Sequence, residues 1–148
     1  YLPSNVKLLL VGDGLFRKSC ENLTQKLELQ NRVLFMGLRM DVLRLLKTAD
    51  ISILSSNWEG FGLVAVESMA SGIPFIASDV PGMSNIVKGG GILFEKGNVK
   101  ELVFHIEKLI NDQNYSNEIS NACKARAKQY DIQFMVNKHI QLYQTLLS

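Results

Sequence analysis

Glu59 and Glu67 stand with seven residues between them in the run Glu59-Gly60-Phe61-Gly62-Leu63-Val64-Ala65-Val66-Glu67. The spacing predicts a loop at Glu59 and places Glu67 about two turns inside the helix that follows. Gly60 and Gly62 are small enough to let a ligand approach the backbone where that helix begins. There the free N–H groups of Gly62, Leu63 and Val64, with the positive end of the helix dipole, form a site suited to a diphosphate. Carboxylates repel phosphate, so the natural targets of the two acids are hydroxyls, as in a ribose or a hexose. Read blandly, the pair is one solvated loop acid and one solvated helix acid. Against that, Leu63 to Ala70 is apolar nearly all round, so Glu67 is expected to lie on a buried helix and face a ligand cleft. A second polar strand end follows in Ser71-Gly72-Ile73-Pro74-Phe75-Ile76-Ala77-Ser78.

Other chemistries lack their residues. Gly12-Asp13-Gly14 begins like a dinucleotide fingerprint, but position 17 is Arg where a third Gly is needed, so the run reads as a tight strand-to-helix turn. The chain contains no G-x-x-x-x-G-K-[ST], H-E-x-x-H or G-x-S-x-G, and His105 and His139 fall on late helices without partners. Without a D-x-D, a diphosphate bridged by Mg or Mn is not expected, and neither a metal nor a cofactor is called for. Cys20 and Cys123 have no ligand-like spacing and are expected to be buried free thiols.

The elements that must position these residues alternate regularly. Strands are expected at Val6 to Val11, Val33 to Gly37, Asp50 to Ser55, Pro74 to Ser78 and Gly91 to Phe94, mostly continuous apolar runs of the kind that parallel strands covered on both faces require. Phe16, Cys20, Leu23 and Leu27 form one apolar helical stripe. Asp41 is placed to cap a short helix with Val42, Leu45 and Leu46. A helix from Phe61 to Ala70 should stop at Gly72 and Pro74. Asn98 and Glu101 have the form of a capping box, opening a helix with Val99, Leu102, Val103, Ile106 and Ile110 inward. Helices at Tyr115 to Gln129 and Ile132 to Leu147 follow with no strand between them. The expected fold is therefore α/β: a Rossmann-like open parallel sheet of about five strands, helices on both faces and a C-terminal helical cover, residues 1–148 forming one domain. With 148 residues, 47% of them hydrophobic, and a net charge of +2, the chain is an ordinary globular domain with one core and no electrostatic case for nucleic acid. No apolar stretch approaches the roughly 20 residues of a membrane span, and no signal peptide is visible, so a cytoplasmic location is expected.

In Glu59 to Ser78 the chain closely resembles the family 4 glycosyltransferases of the GT-B fold, whose pattern runs E-G-F-G-L-x-x-x-E-A-M-A-x-G-x-P-V-I-A-S. The likeness extends through Leu10-Val11-Gly12-Asp13-Gly14, Val33-Leu34-Phe35-Met36-Gly37, Ala49-Asp50-Ile51-Ser52-Ile53-Leu54 and the Pro81-Gly82 loop. The resemblance implies a retaining, metal-independent transfer of a hexosyl group from a nucleotide-activated donor to a glycan or lipid-linked acceptor. This chain corresponds to the C-terminal, donor-binding domain. Carried over, Glu59 is the catalytic-site acid that contacts the donor sugar, and Glu67 holds the ribose hydroxyls. Gly60, Phe61, Gly62, Leu63 and Val64 approach the sugar or diphosphate, Gly12 walls the cleft, and Leu38 and Arg39 lie against the base. Arg39 is an unusual residue at that place. Polysaccharide biosynthesis is implied by the family alone, with a peripheral place at the inner membrane face as an option for the full-length enzyme.

The family also carries a strand and helix before the Val6 strand, with an Arg and a Lys that neutralise the diphosphate, and an N-terminal acceptor domain. None of these is in the sequence, so the chain alone is expected to bind donor weakly and to be inactive. A missing central strand would force Val6 to Val11 to pair with Asp50 to Ser55, or leave an edge for a second copy, so a homo-oligomer is expected. Two other readings are an epimerase acting on nucleotide sugars and a non-catalytic α/β binding module; nucleotide binding that depends on Glu67 distinguishes donor binding from the latter.

Overall fold

The computed structural model describes residues 2–147, which divide into two compact units at Arg44 and Leu45. The described residues form five strands and seven helices, the short helix at Ser84–Val87 being one the sequence does not predict, and the strands lie in a two-stranded and a three-stranded parallel sheet instead of the single open sheet expected.

The first unit holds β1 (Leu8–Val11), α1 (Arg17–Lys26) and β2 (Val33–Gly37). The two strands pair in parallel, Leu8 opposite Val33 and Leu10 opposite Phe35, with an irregularity before Val11. The ladder of β1 is with β2 alone among the described residues of this unit. The expected inward stripe of α1 is also not inward. Phe16, Cys20, Leu23 and Leu27 are all exposed, whereas Arg17, Glu21 and Thr24 are half-buried. Ion pairing organises that polar side: Arg17 Nη1 lies 3.0 Å from Asp13 Oδ2 and Arg17 Nε 2.9 Å from Glu21 Oε1. Among the described residues of this unit none buries the apolar stripe. Amphipathic spacing identifies a helix but not what lies against it.

The second unit begins within α2 (Val42–Leu46) and continues through β3 (Ser52–Leu54), α3 (Leu63–Ser71), β4 (Phe75–Asp79), α4 (Ser84–Val87), β5 (Ile92–Glu95), α5 (Val99–Asn111), α6 (Gln113–Ala127), a 3₁₀ turn at Lys128–Tyr130 and α7 (Ile132–Leu147). β4 is central, paired in parallel with β3 on one side and β5 on the other. Phe75, Ile76, Ala77 and Ser78 are buried on both faces, which is why this strand reads as a continuous apolar run. α3 lays Ala65, Ser68 and Met69 on the core and ends at Gly72, whose φ of 83° is the left-handed cap a glycine supplies without strain. α6 closes over α3, burying Cys123 and Ala127 against Ala65, Met69, Phe75 and Ala77.

The capping box is half made. Asn98 Oδ1 accepts from the Glu101 N–H at 3.1 Å, but the Glu101 carboxylate accepts from the Glu95 N–H at 2.8 Å instead of returning to Asn98. The inward face of α5 is Ile106 and Leu109, packed toward the edge strand β5 and α6, while Val99 and Ile110 are exposed.

Cys123 is buried, as expected of a structural thiol, but Cys20 is exposed with the rest of its stripe. Burial raises the Cys123 thiol above its ordinary value, with a backbone hydrogen bond from Phe75 offsetting part of the effect. A raised value means less thiolate at any given pH. At mildly alkaline pH we therefore expect a disulfide reagent to titrate one thiol rapidly, Cys20, and to reach Cys123 only on unfolding. Rapid labelling of both in the native chain would contradict this placement.

Candidate functional site

α3 starts without a side-chain cap, because Gly62 stands at its N-cap position. Gly62 has φ 64° and is buried, and a Cβ there would approach Met83 Cε to 3.0 Å, so both conformation and space favour glycine. Its carbonyl accepts from the Ala65 N–H at 2.8 Å and closes the first turn. The N–H groups of Gly62, Leu63 and Val64 donate to no acceptor among the described residues. These are the unpaired donors of a helix start, and with the helix dipole they favour an anion.

The two acids sit differently. Glu59 is half-buried, and its Oε1 accepts from the Ser56 hydroxyl at 2.7 Å, leaving Oε2 without a partner among the described residues. Glu67 is exposed and has no hydrogen bond or ion pair among the described residues. The expectation of a helix buried all round is therefore not met: Leu63 (65% exposed) and Val64 (49% exposed) share an open face with Glu67. Residues 65, 68 and 69 form the buried stripe, and 63, 64 and 67 fall outside it. The acid is not tied off in the interior. It stands on an open, otherwise apolar helix face that begins at the unpaired amides.

The loop between β3 and α3 is held from several sides. The Ser78 hydroxyl, on buried β4, donates to the Ser56 carbonyl at 2.6 Å, and Lys96 Nζ donates to the Asn57 carbonyl at 3.3 Å. Gly82 (φ 86°) packs so closely behind the loop that a Cβ there would lie 2.1 Å from the Glu59 carbonyl oxygen and 2.5 Å from that of Gly60. The Phe61 ring meets Tyr130 edge-on at 6.0 Å between centroids, and a Cβ on the exposed Gly60 would stand 3.8 Å from the Trp58 ring. Arg126 on α6 donates from Nε to the Ile86 carbonyl at 2.9 Å, and from Nη2 to the Asn85 carbonyl and to the Tyr130 hydroxyl. One guanidinium thus ties α4, which follows Gly82, to the residue that contacts Phe61. A cleft of about 280 Å³ opens beside the loop at the carboxyl ends of β3, β4 and β5, between Ser56, Ser78, Phe94 and Lys96. Strand carboxyl ends are where ligands collect in open parallel sheets.

The remaining candidates belong to the first unit. Gly12 follows β1 with φ 119°, donates its N–H to the Gly37 carbonyl at 2.8 Å and has open space where a Cβ would stand. Leu38 is exposed, and Arg39 is gripped by the Asp41 carboxylate through two bonds of 2.8 Å. Those bonds lower the Asp41 carboxyl below the ordinary range, and they take the side chain expected to cap α2. Asp13 is likewise held low, first by the Gly14 N–H and then by Arg17. Among the described residues no group of three or more His, Cys, Asp and Glu could hold a metal. No described helix is long and apolar enough to cross a membrane.

Ser56, Ser78 and Gly82 carry no assigned role in the sequence reading. The Pro81-Gly82 pair does mark a turn, but only the fold shows what that turn abuts.

The family model described as "Glycosyl transferases group 1" matches residues 2–129. The chain is 34% identical over 144 residues to an N-acetyl-alpha-D-glucosaminyl L-malate synthase of Bacillus anthracis, covering 96% of this chain and 37% of that protein. It is 29% identical over 146 residues to a UDP-Gal:alpha-D-GlcNAc-diphosphoundecaprenol alpha-1,3-galactosyltransferase of Escherichia coli, again 96% of this chain and 37% of the other. Among solved structures, Anabaena Alr3699/HepE in complex with UDP superposes with a TM-score of 0.86 at 33% identity, covering 97% of this chain and 41% of that one. The chain thus spans about two fifths of the length of these relatives.

Proposed function

This chain belongs to the group 1 glycosyl transferases, and we propose that it is the nucleotide-sugar donor-binding domain of a retaining, metal-independent hexosyltransferase acting on a glycan or lipid-linked acceptor. The observation that carries this reading is the start of α3, where unpaired amides of Gly62, Leu63 and Val64 follow the half-buried Glu59 in the chain and precede the exposed Glu67. The amides receive the diphosphate, Glu67 takes the ribose hydroxyls, and Glu59 offers its free Oε2 to a hydroxyl of the donor sugar. The similar Alr3699/HepE was solved with UDP and with UDP-glucose, which supports a uridine nucleotide as the first donor to try. In this reading the pathway is cytoplasmic assembly of a polysaccharide.

Calorimetric titration of the chain with UDP, GDP and ADP tests the proposal. Binding of one nucleotide is the expected result. No binding of any of them overturns the reading and leaves a non-catalytic module.

The partner we propose for the chain in isolation is a second copy of itself. Leu8, Leu9 and Val11 of β1 are each more than two-fifths exposed, as are Phe16, Leu23 and Leu27 of the α1 stripe, and such apolar strand and helix surface favours association. Light scattering should show a mass that rises with concentration; a monomer at every concentration would refute it.

A further inference from the structure

We propose that Ser78 and Ser56 are positioning residues for Glu59, a two-step relay that sets the carboxylate toward the donor sugar; the assignment rests on the donor-site reading above. β4 is the central buried strand, and its residues before Ser78 are Phe75, Ile76 and Ala77. Ser78 itself is 2% exposed, so its hydroxyl needs a partner within the protein, and it donates at 2.6 Å to the carbonyl of Ser56, 22 positions earlier. That bond pins the backbone of Ser56. The Ser56 hydroxyl in turn donates at 2.7 Å to Glu59 Oε1. A glutamate side chain has three rotatable bonds and loses much freedom when held in one rotamer. Here the hydroxyl holds one carboxylate oxygen, and through it the direction of the other, before any ligand arrives. The buried core thus reaches the acid through two hydroxyls, and preorganisation of this kind is realised in binding rather than in folding.

The test compares UDP with UDP-glucose on the 148-residue chain by calorimetry, for wild type, Glu59→Gln, Ser56→Ala, Ser56→Thr and Ser78→Ala. Because UDP lacks the sugar, its affinity reports the fold and the diphosphate site, and the ratio of the two affinities reports Glu59. Ser56→Ala and Ser78→Ala should lower the preference for UDP-glucose about three- to tenfold with UDP affinity unchanged, and Ser56→Thr, which keeps the hydroxyl, should restore it. Alanine variants that keep the wild-type ratio overturn the relay alone. Equal losses of UDP and UDP-glucose also overturn it, since the serines would then only support the loop. No preference in wild type, or an unchanged ratio in Glu59→Gln, removes the donor-sugar role of Glu59 and the relay with it.

Discussion

Glu67→Ala is expected to reduce nucleotide affinity by at least about 100-fold while leaving the thermal midpoint where it was. A carboxylate accepting from two ribose hydroxyls gains roughly 1.5–3 kcal/mol from each bond, and about 1.4 kcal/mol is tenfold in affinity. The stability of the free chain should not change, because Glu67 is exposed and has no partner among the described residues. Surface substitutions of that kind stay within about 0.5 kcal/mol. Affinity and stability thus separate, which a core residue could not offer. Titration with UDP and a melting curve on the same sample decide the matter, and an unchanged affinity would remove Glu67 from the site.

Gly82→Ala is expected to damage both stability and donor binding. The new Cβ would meet backbone, 2.1 Å from the Glu59 carbonyl oxygen and 2.9 Å from its carbon, so no side-chain rotation relieves the contact. The left-handed φ of 86° adds strain for any residue with a Cβ. Strain of about 1–2 kcal/mol and overpacking of about 1–3 kcal/mol add to roughly 2–5 kcal/mol. In a chain of this size that lowers the midpoint by about 5–15 °C. If the Glu59–Gly60 backbone retreats by about 1 Å, a loss near 100-fold at the sugar is reasonable for a misplaced group. Gly89→Ala is the matched control, because Gly89 has φ 82° but open space around its missing Cβ. It should show the strain alone, about 1–2 kcal/mol. Gly82→Ala behaving like Gly89→Ala would disprove the clamp on the Glu59 loop.

Much of the fold is legible along the chain because its causes are short-range. The run from Phe75 to Ser78 is apolar at every position before the serine, and it becomes the strand buried on both faces. Gly72 stops α3, and Asn98 caps α5, each through contacts within three or four residues. α4 is harder to see: it has four residues, too few for a periodic pattern, and is tied in by Arg126 about forty positions away.

By itself the sequence determined the order of strands and helices, the glycine at the start of α3 and the placing of an acid before that helix and another within it. These follow from backbone preferences and periodicities that act over a few residues. Only the tertiary structure decided which faces found a partner and which polar groups met. It left Phe16, Cys20, Leu23 and Leu27 exposed, opened the Glu67 face of α3, and brought Ser78 to Ser56 and Gly82 against Glu59. Such contacts join residues distant in sequence, and packing constraints on a hydroxyl or a missing Cβ arise only once the strands have been brought side by side.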